Sequence, residues 1–168
     1  YFDDWLRDVA VEGPLRQVVL LGAGLDTRAW RLPWPAGAVV YELDRADILD
    51  VKARTLSRAG ADPACDRRPV AADLASDWRV ALCAAGFDAA VRSAWLVEGV
   101  LFYLPVSVIH SVLEIVSSLA APGSRLGFDI VNAAVLVSPY TKAWIDMQAA
   151  AGAPWIGSLD DPGAVLAD

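Results

Sequence analysis

Metal-binding and disulfide chemistry have little to work with in this chain. It has two cysteines, Cys65 and Cys83, and one histidine, His110. Neither cysteine has a second cysteine or a histidine at metal-ligand spacing. No metal site is expected, and the two thiols are read as buried or half-buried in a reducing compartment. Positive charge is also scarce, with 14 Lys and Arg against 21 Asp and Glu and a formal net charge of -7. No basic block stands out, which excludes a phosphate-backbone partner such as nucleic acid. No apolar run reaches the roughly 18 residues that a membrane-spanning helix needs. The candidates around Val18–Gly24 and Ala94–Leu104 are broken by glycine or charge, so no membrane partner is expected. The chain begins at Tyr1 without a signal-peptide pattern. The expectation is a cytoplasmic protein whose start lies upstream.

What is present is a globular composition. Hydrophobic residues make up 56% of the 168 residues and charged residues 21%, which excludes a disordered chain and fits one domain spanning residues 1–168. Apolar runs of strand length alternate with longer segments of helical period. Helices are expected over Tyr1–Val11, Ala46–Ala59, Ala75–Ala85, from Pro105 to Leu119 and over Tyr140–Ala151. Strands are expected at Gln17–Leu21, Ala38–Asp44, Arg68–Ala72, Ser93–Val97 and Arg125–Val131. Gly13 and Pro14 stop the first helix, Gly60 and Gly86 close the next two, and Pro122-Gly123 ends the long one. Ala153–Asp168 reads as loop. Continuous apolar strands separated by helices predict an α/β fold, a doubly wound, mostly parallel sheet with helices on both faces.

Four strand ends carry polar or glycine elements. After the first strand comes Gly22-Ala23-Gly24-Leu25-Asp26-Thr27-Arg28. Glycine bends the backbone sharply and lets a ligand approach, and free N–H groups at a following helix start favour a carboxylate or phosphate. A dinucleotide fingerprint wants a third glycine where Thr27 stands, which counts against an NAD(P)-dependent dehydrogenase, the main alternative of similar topology. The second strand ends in Glu42-Leu43-Asp44, and Asp44 lies 20 positions after Gly24. An acid at that spacing meets ribose hydroxyls in doubly wound sheets, with two acceptors facing two donors. Glu42 shares Asp44's side of the strand and is a second-choice contact. Asp73-Leu74 follows the third strand, where the acid can accept from an adenine amine and Leu74 can pack on the ring. Glu98 follows the fourth, where a sulfonium or ammonium cation would offset the cost of its charge. These features describe S-adenosyl-L-methionine better than a dinucleotide.

At these residues the sequence resembles the S-adenosylmethionine-dependent methyltransferases related to leucine carboxyl methyltransferase, especially the actinobacterial, mycobacterial-type branch. The matching stretches are Gly22–Leu32, Tyr41–Asp44, Ala72–Leu74 and Trp95–Pro105, and the similarity runs from about Tyr1 to about Asn132. The resemblance implies a Rossmann-like methyltransferase domain that binds S-adenosyl-L-methionine through the Gly22-Ala23-Gly24 turn, Asp44, Asp73 and Leu74. It puts Glu98 near the reacting end and Asp26 opposite the cofactor's amino group, and it leaves Arg28 as a brace for the loop. It also implies a chain short of the family's upstream segment, which carries a basic residue for the cofactor carboxylate, and of its last strands. A third alternative is a non-catalytic remnant of the same fold. The implied partner is a small-molecule or carboxyl-bearing acceptor methylated on a carboxyl or hydroxyl oxygen. No catalytic base is legible. His110 falls beside the apolar stripe of its helix, Tyr103 lies nearer the open edge, and Trp30 and Trp34 are read as packing beside the turn.

Overall fold

In a computed structural model that describes residues 1–13 and 15–165, five strands form one wholly parallel sheet of order β3-β2-β1-β4-β5. They are β1 (Gln17–Leu21), β2 (Val39–Asp44), β3 (Asp66–Ala71), β4 (Ser93–Val97) and β5 (Arg125–Phe128). β1 and β4 are buried at every position, as continuous apolar runs in a covered parallel sheet must be. The expected doubly wound architecture is the one observed.

Strand alternation divides the core in two. Val18, Leu20, Val40, Ala94 and Leu96 face one side, where they meet Leu6 and Val9 of helix α1 (Phe2–Val11) and Ala29 of the single turn α2 (Arg28–Arg31). Helix α3 (Ala46–Arg58) covers the β2 end of this layer. Val19, Leu21, Tyr41, Leu43, Trp95 and Val97 face the other side. There they meet Leu82 of helix α4 (Arg79–Ala84) and the stripe Ile109, Val112, Leu113, Val116 and Leu119 of helix α5 (Val106–Leu119). That stripe has the spacing of one helical face. No helix among the described residues is long and apolar enough to cross a membrane.

The differences from expectation have local causes. The helix expected over Ala75–Ala85 forms only over Arg79–Ala84. The Asp73 carboxylate accepts from Ala75 N at 2.9 Å and its carbonyl accepts from Ser76 N, so the preceding residues make a turn. β5 stops at Phe128 because its only partner among the described residues, β4, ends at Val97. The short helix α6 (Ala133–Val137), capped by the Asn132 side chain, was not expected. The next, α7 (Lys142–Ala150), falls inside its expected range, and the last, α8 (Pro162–Val165), is one turn inside the expected loop. Cys65 is half-buried, and burial pushes its thiol up to about 11, with Glu42 and Asp66 adding to the shift. Cys83 is exposed, against expectation, because it falls on the outer side of α4. The helix stop assigned to Pro14 lies outside the described residues.

One polar cluster is buried within the apolar layers. Glu42 of β2 has no exposed surface, and Lys52 of α3 is 1% exposed. Glu42 Oε2 lies 2.8 Å from Lys52 Nζ and 2.7 Å from Arg67 Nη2. The Trp30 ring lies 4.8 Å from the Arg67 guanidinium carbon and 5.6 Å from Lys52 Nζ. Glu42 Oε1 accepts no hydrogen bond among the described residues. Buried ions are tolerated only when paired, and removing one partner of such a set costs ~3–5 kcal/mol. The variant Glu42→Met, which leaves two buried cations without their anion, is therefore expected to lose about that much unfolding free energy in urea titrations. A loss below ~1 kcal/mol would mean that the cluster is solvated.

Candidate functional site

In a doubly wound sheet the crossovers on either side of the central strand cover opposite faces, and a crevice opens at the carboxyl ends where they part. Here that point lies between β1 and β4, the two neighbours from which the crossovers diverge. A hollow of about 340 Å3 sits there, lined by Gly22, Ala23, Gly24, Asp26, Arg28 and Glu98 among others.

The turn after β1 needs both of its glycines. Gly22 has φ +65°, a conformation that side chains disfavour, and a Cβ on it would meet Val100 Cγ2 at 2.3 Å. Gly24 has φ +43°, and a Cβ there would find nothing closer than the Gly22 carbonyl at 3.8 Å. Its missing side chain leaves the hollow clear. The turn is pinned from β2: Ala23 N donates to the Leu43 carbonyl at 3.0 Å, and Gly24 N donates to Asp44 Oδ2 at 2.6 Å. Asp44 Oδ1 accepts from Arg45 N at 2.7 Å. Each Asp44 oxygen thus has one backbone donor and keeps a second lone pair for a ligand hydroxyl.

Arg28 is the hub on the other side of the turn. It is 8% exposed, and its three side-chain nitrogens each meet a different carboxylate. Nε donates to Asp3 Oδ1 at 2.7 Å, Nη1 pairs with Asp26 Oδ2, and Nη2 lies 2.7 Å from Glu98 Oε2. Arg31 also pairs with Asp3. The Arg31 hydrogen bond is the largest influence on the Asp3 carboxyl and, with Arg28, holds it far below the ordinary range against the opposing effect of burial. Burial alone would lower the Arg28 pKa, but Asp26, Asp3 and Glu98 together raise it. A second groove of about 520 Å3, lined by α1 residues and Arg31, shares Arg28 and Glu98 with the first.

The sequence-expected residues divide into groups. Gly22, Ala23, Gly24, Asp26 and Glu98 line the hollow, and Asp44 is bonded to its wall. Asp73 is exposed at the neighbouring strand end, beyond Ala72, whose N donates to the Asp44 carbonyl at 2.9 Å. Leu74 is 9% exposed and packs into the core, so little of its side chain reaches the edge. Glu42 is not brought to the edge, because it lies two residues lower on the strand, beneath α3 and paired with Lys52 and Arg67. The N–H groups expected at the helix start are partly taken, since Trp30 N donates to the Thr27 carbonyl at 2.9 Å. α2 is a single turn, and Arg28 N already donates to Asp26 Oδ1 at 2.5 Å.

Trp30 and Trp34 pack as expected, and the Trp34 indole N–H donates to the Arg28 carbonyl at 2.8 Å. Tyr103 is 36% exposed, with its ring edge-on to Trp155. His110 is exposed and lines a separate depression on α5. Asp3 and Asp129 are not among the sequence-expected residues. Asp3 has no signal beyond that of an acid in the first turn of α1. Asp129, whose Oδ1 accepts from Gly99 N at 2.7 Å and fixes the loop after Glu98, falls inside the strand expected over Arg125–Val131 and reads as a strand-end acid only once β5 is seen to stop at Phe128.

The leucine carboxyl methyltransferase family profile matches residues 1–117. A Mycolicibacterium gilvum protein, provisionally named an S-adenosyl-L-methionine-dependent methyltransferase, is 48% identical over 143 residues, covering 84% of this chain and 48% of that protein. The chain spans about half the length of the curated relatives it matches. Among solved structures, a duf574 family protein from Streptomyces avermitilis superposes with a TM-score of 0.71 at 15% identity, covering 98% of this chain and 64% of that one. The magnesium protoporphyrin IX methyltransferase from Synechocystis, solved with bound SAH, superposes with a TM-score of 0.57 at 19% identity, over 84% and 59% of the two chains. Both structural likenesses concern the fold.

Two predictions follow from the site's packing. Gly22→Ala must adopt a left-handed backbone and displace Val100, so it is expected to lose at least ~2 kcal/mol of stability in denaturant unfolding. The second concerns pH. The folded-state pKa of Asp3 is depressed below its ordinary 3.8. Its contribution to stability is therefore complete above about pH 5 and disappears as pH falls through the carboxylate range. The melting-temperature gap between the wild type and Asp3→Asn is expected to be constant from pH 8 to about pH 5 and to close below it. A gap that widens in acid would contradict the Asp3 pairing.

Proposed function

The chain belongs to the leucine carboxyl methyltransferase family, and from that premise we propose that its hollow binds S-adenosyl-L-methionine in support of methyl transfer to an oxygen, carboxyl or hydroxyl, of a small-molecule or carboxyl-bearing acceptor. The observation that carries this reading is the meeting of Gly22, Gly24 and Glu98 around one hollow, with Asp44 bonded to the turn that lines it.

The residues present fit the group. Gly24 leaves room for the methionine portion along bare backbone, and Gly22 lets Val100 close over the same turn. The two spare lone pairs of Asp44 suit the ribose diol. The second Asp73 oxygen accepts no bond from the protein among the described residues, which leaves it available to the adenine amine. Glu98, exposed at the rim with one oxygen held by Arg28, supplies negative charge beside the cationic end. When bound, S-adenosyl-L-methionine supplies a methyl group on a sulfonium that departs as a neutral thioether.

The work left to the protein is alignment and charge. Holding reactants in line can contribute on the order of 7–11 kcal/mol at best. A carboxylate acceptor needs no general base, whereas a hydroxyl acceptor does. His110, remote on α5, is not that base in this reading. The Lys52 and Arg67 ion pairs of Glu42 take it out of the binding set.

Calorimetry is the direct test. S-adenosyl-L-methionine and S-adenosylhomocysteine are expected to bind and NAD is not. Asp44→Ala is expected to weaken the first two more than tenfold, a loss of ~1.4 kcal/mol or more. Binding of NAD in preference, or unchanged affinity in the Asp44 variant, would refute the assignment.

A further inference from the structure

We propose that Arg28 is a positioning residue that aims the Glu98 carboxylate at the hollow, so that the site distinguishes a sulfonium ligand from its neutral thioether. This inference rests on the cofactor reading above and goes beyond it by naming the group that sets charge discrimination.

The geometry exceeds what bracing a loop requires. Asp26 alone would satisfy that role, since it accepts from both the backbone N and Nη1 of Arg28. Arg28 also reaches Asp3 on α1 through Nε and Glu98 at the end of β4 through Nη2. One planar guanidinium thus ties three separate parts of the chain to the rim. Its own backbone is fixed as well, because its carbonyl accepts from Leu32 N and from the Trp34 indole. The cation is immobile, and its partners inherit its position.

Glu98 is the partner that needs positioning. Its side chain is 42% exposed, and a free glutamate at the rim would sample several rotamers. Two restraints remove that freedom. Asp129 holds Gly99 N at 2.7 Å from the backbone side, and Arg28 holds Oε2 at 2.7 Å from the side-chain side. Glu98 Oε1 accepts no hydrogen bond among the described residues, and Glu98 lines the hollow.

The charges left over favour a cation. Asp3, Asp26 and Glu98 together outnumber Arg28 and Arg31 by one negative charge. A fixed, partly desolvated carboxylate attracts a positive ligand more strongly than a mobile, solvated one. Lysine cannot replace the fork, since its single nitrogen cannot meet three carboxylates arriving from three directions.

The test compares S-adenosyl-L-methionine with S-adenosylhomocysteine by calorimetry on the wild type, Arg28→Lys, Glu98→Gln and the double variant. The wild type is expected to prefer the sulfonium ligand. Each single change is expected to cut that preference about tenfold while moving thioether affinity less than about threefold, and the double variant to cut it no further, as coupled residues do. Equal weakening of both ligands by Arg28→Lys, an unchanged preference, or additive effects would overturn the positioning role while leaving the cofactor reading intact. A wild type that binds neither ligand would overturn both. Should Arg28→Lys fail to fold, nitrogen-15 arginine spectra of the wild type and Glu98→Gln decide. The Arg28 side-chain signals are expected to shift and exchange faster in Glu98→Gln, and unchanged signals would reject the proposal.

Discussion

β1 is buried at all five positions and sits between β2 and β4, and this central burial is the constraint from which the site follows. Both faces of the strand must be covered, so the chain crosses over on one side toward β2 and β3 and on the other toward β4 and β5. Right-handed crossovers leave little choice in this. The segments leaving β1 and β4 then diverge, and the hollow is the space between them. Gly22 is needed because Val100, coming from the β4 side, closes tightly over the turn.

β2 gives two carboxylates on one side of the same strand opposite fates. Glu42 is covered by α3 and neutralised by Lys52 and Arg67 under the Trp30 ring. Asp44, one strand period later, reaches the rim and is held by the backbone N–H groups of Gly24 and Arg45. An acid inside a protein requires cations, whereas one at the rim can be oriented by backbone donors and still bind. The buried set therefore belongs to the scaffold, and the rim acid lies against the wall of the hollow.

α1 reaches the polar side of the site through charge. Its apolar face packs Leu6 and Val9 against the sheet, and its first turn offers Asp3 to Arg28 and Arg31. The N-terminal helix, the turn after β1 and the end of β4 thereby share one guanidinium. This arrangement gives a site built from distant segments a common reference point in addition to the apolar layer that Leu6, Val9, Ala23 and Leu96 share.

Local pattern determined much of this protein. The strand positions of β1 and β4, the α5 stripe, the glycine turn and the rim acids Asp44, Asp73 and Glu98 were legible because burial on both faces, helical period and chain reversal each leave a mark within a few adjacent residues. The family resemblance rested on the same residues. What only the tertiary structure decided were partnerships across long separations. Examples are Glu42 with Lys52 and Arg67, Arg28 with Asp3 and Glu98, and Asp129 with Gly99. Whether an acid is a ligand contact, a buried counter-ion or a loop anchor depends on which cation or N–H folding brings within 3 Å, and residue spacing along the chain carries no record of that.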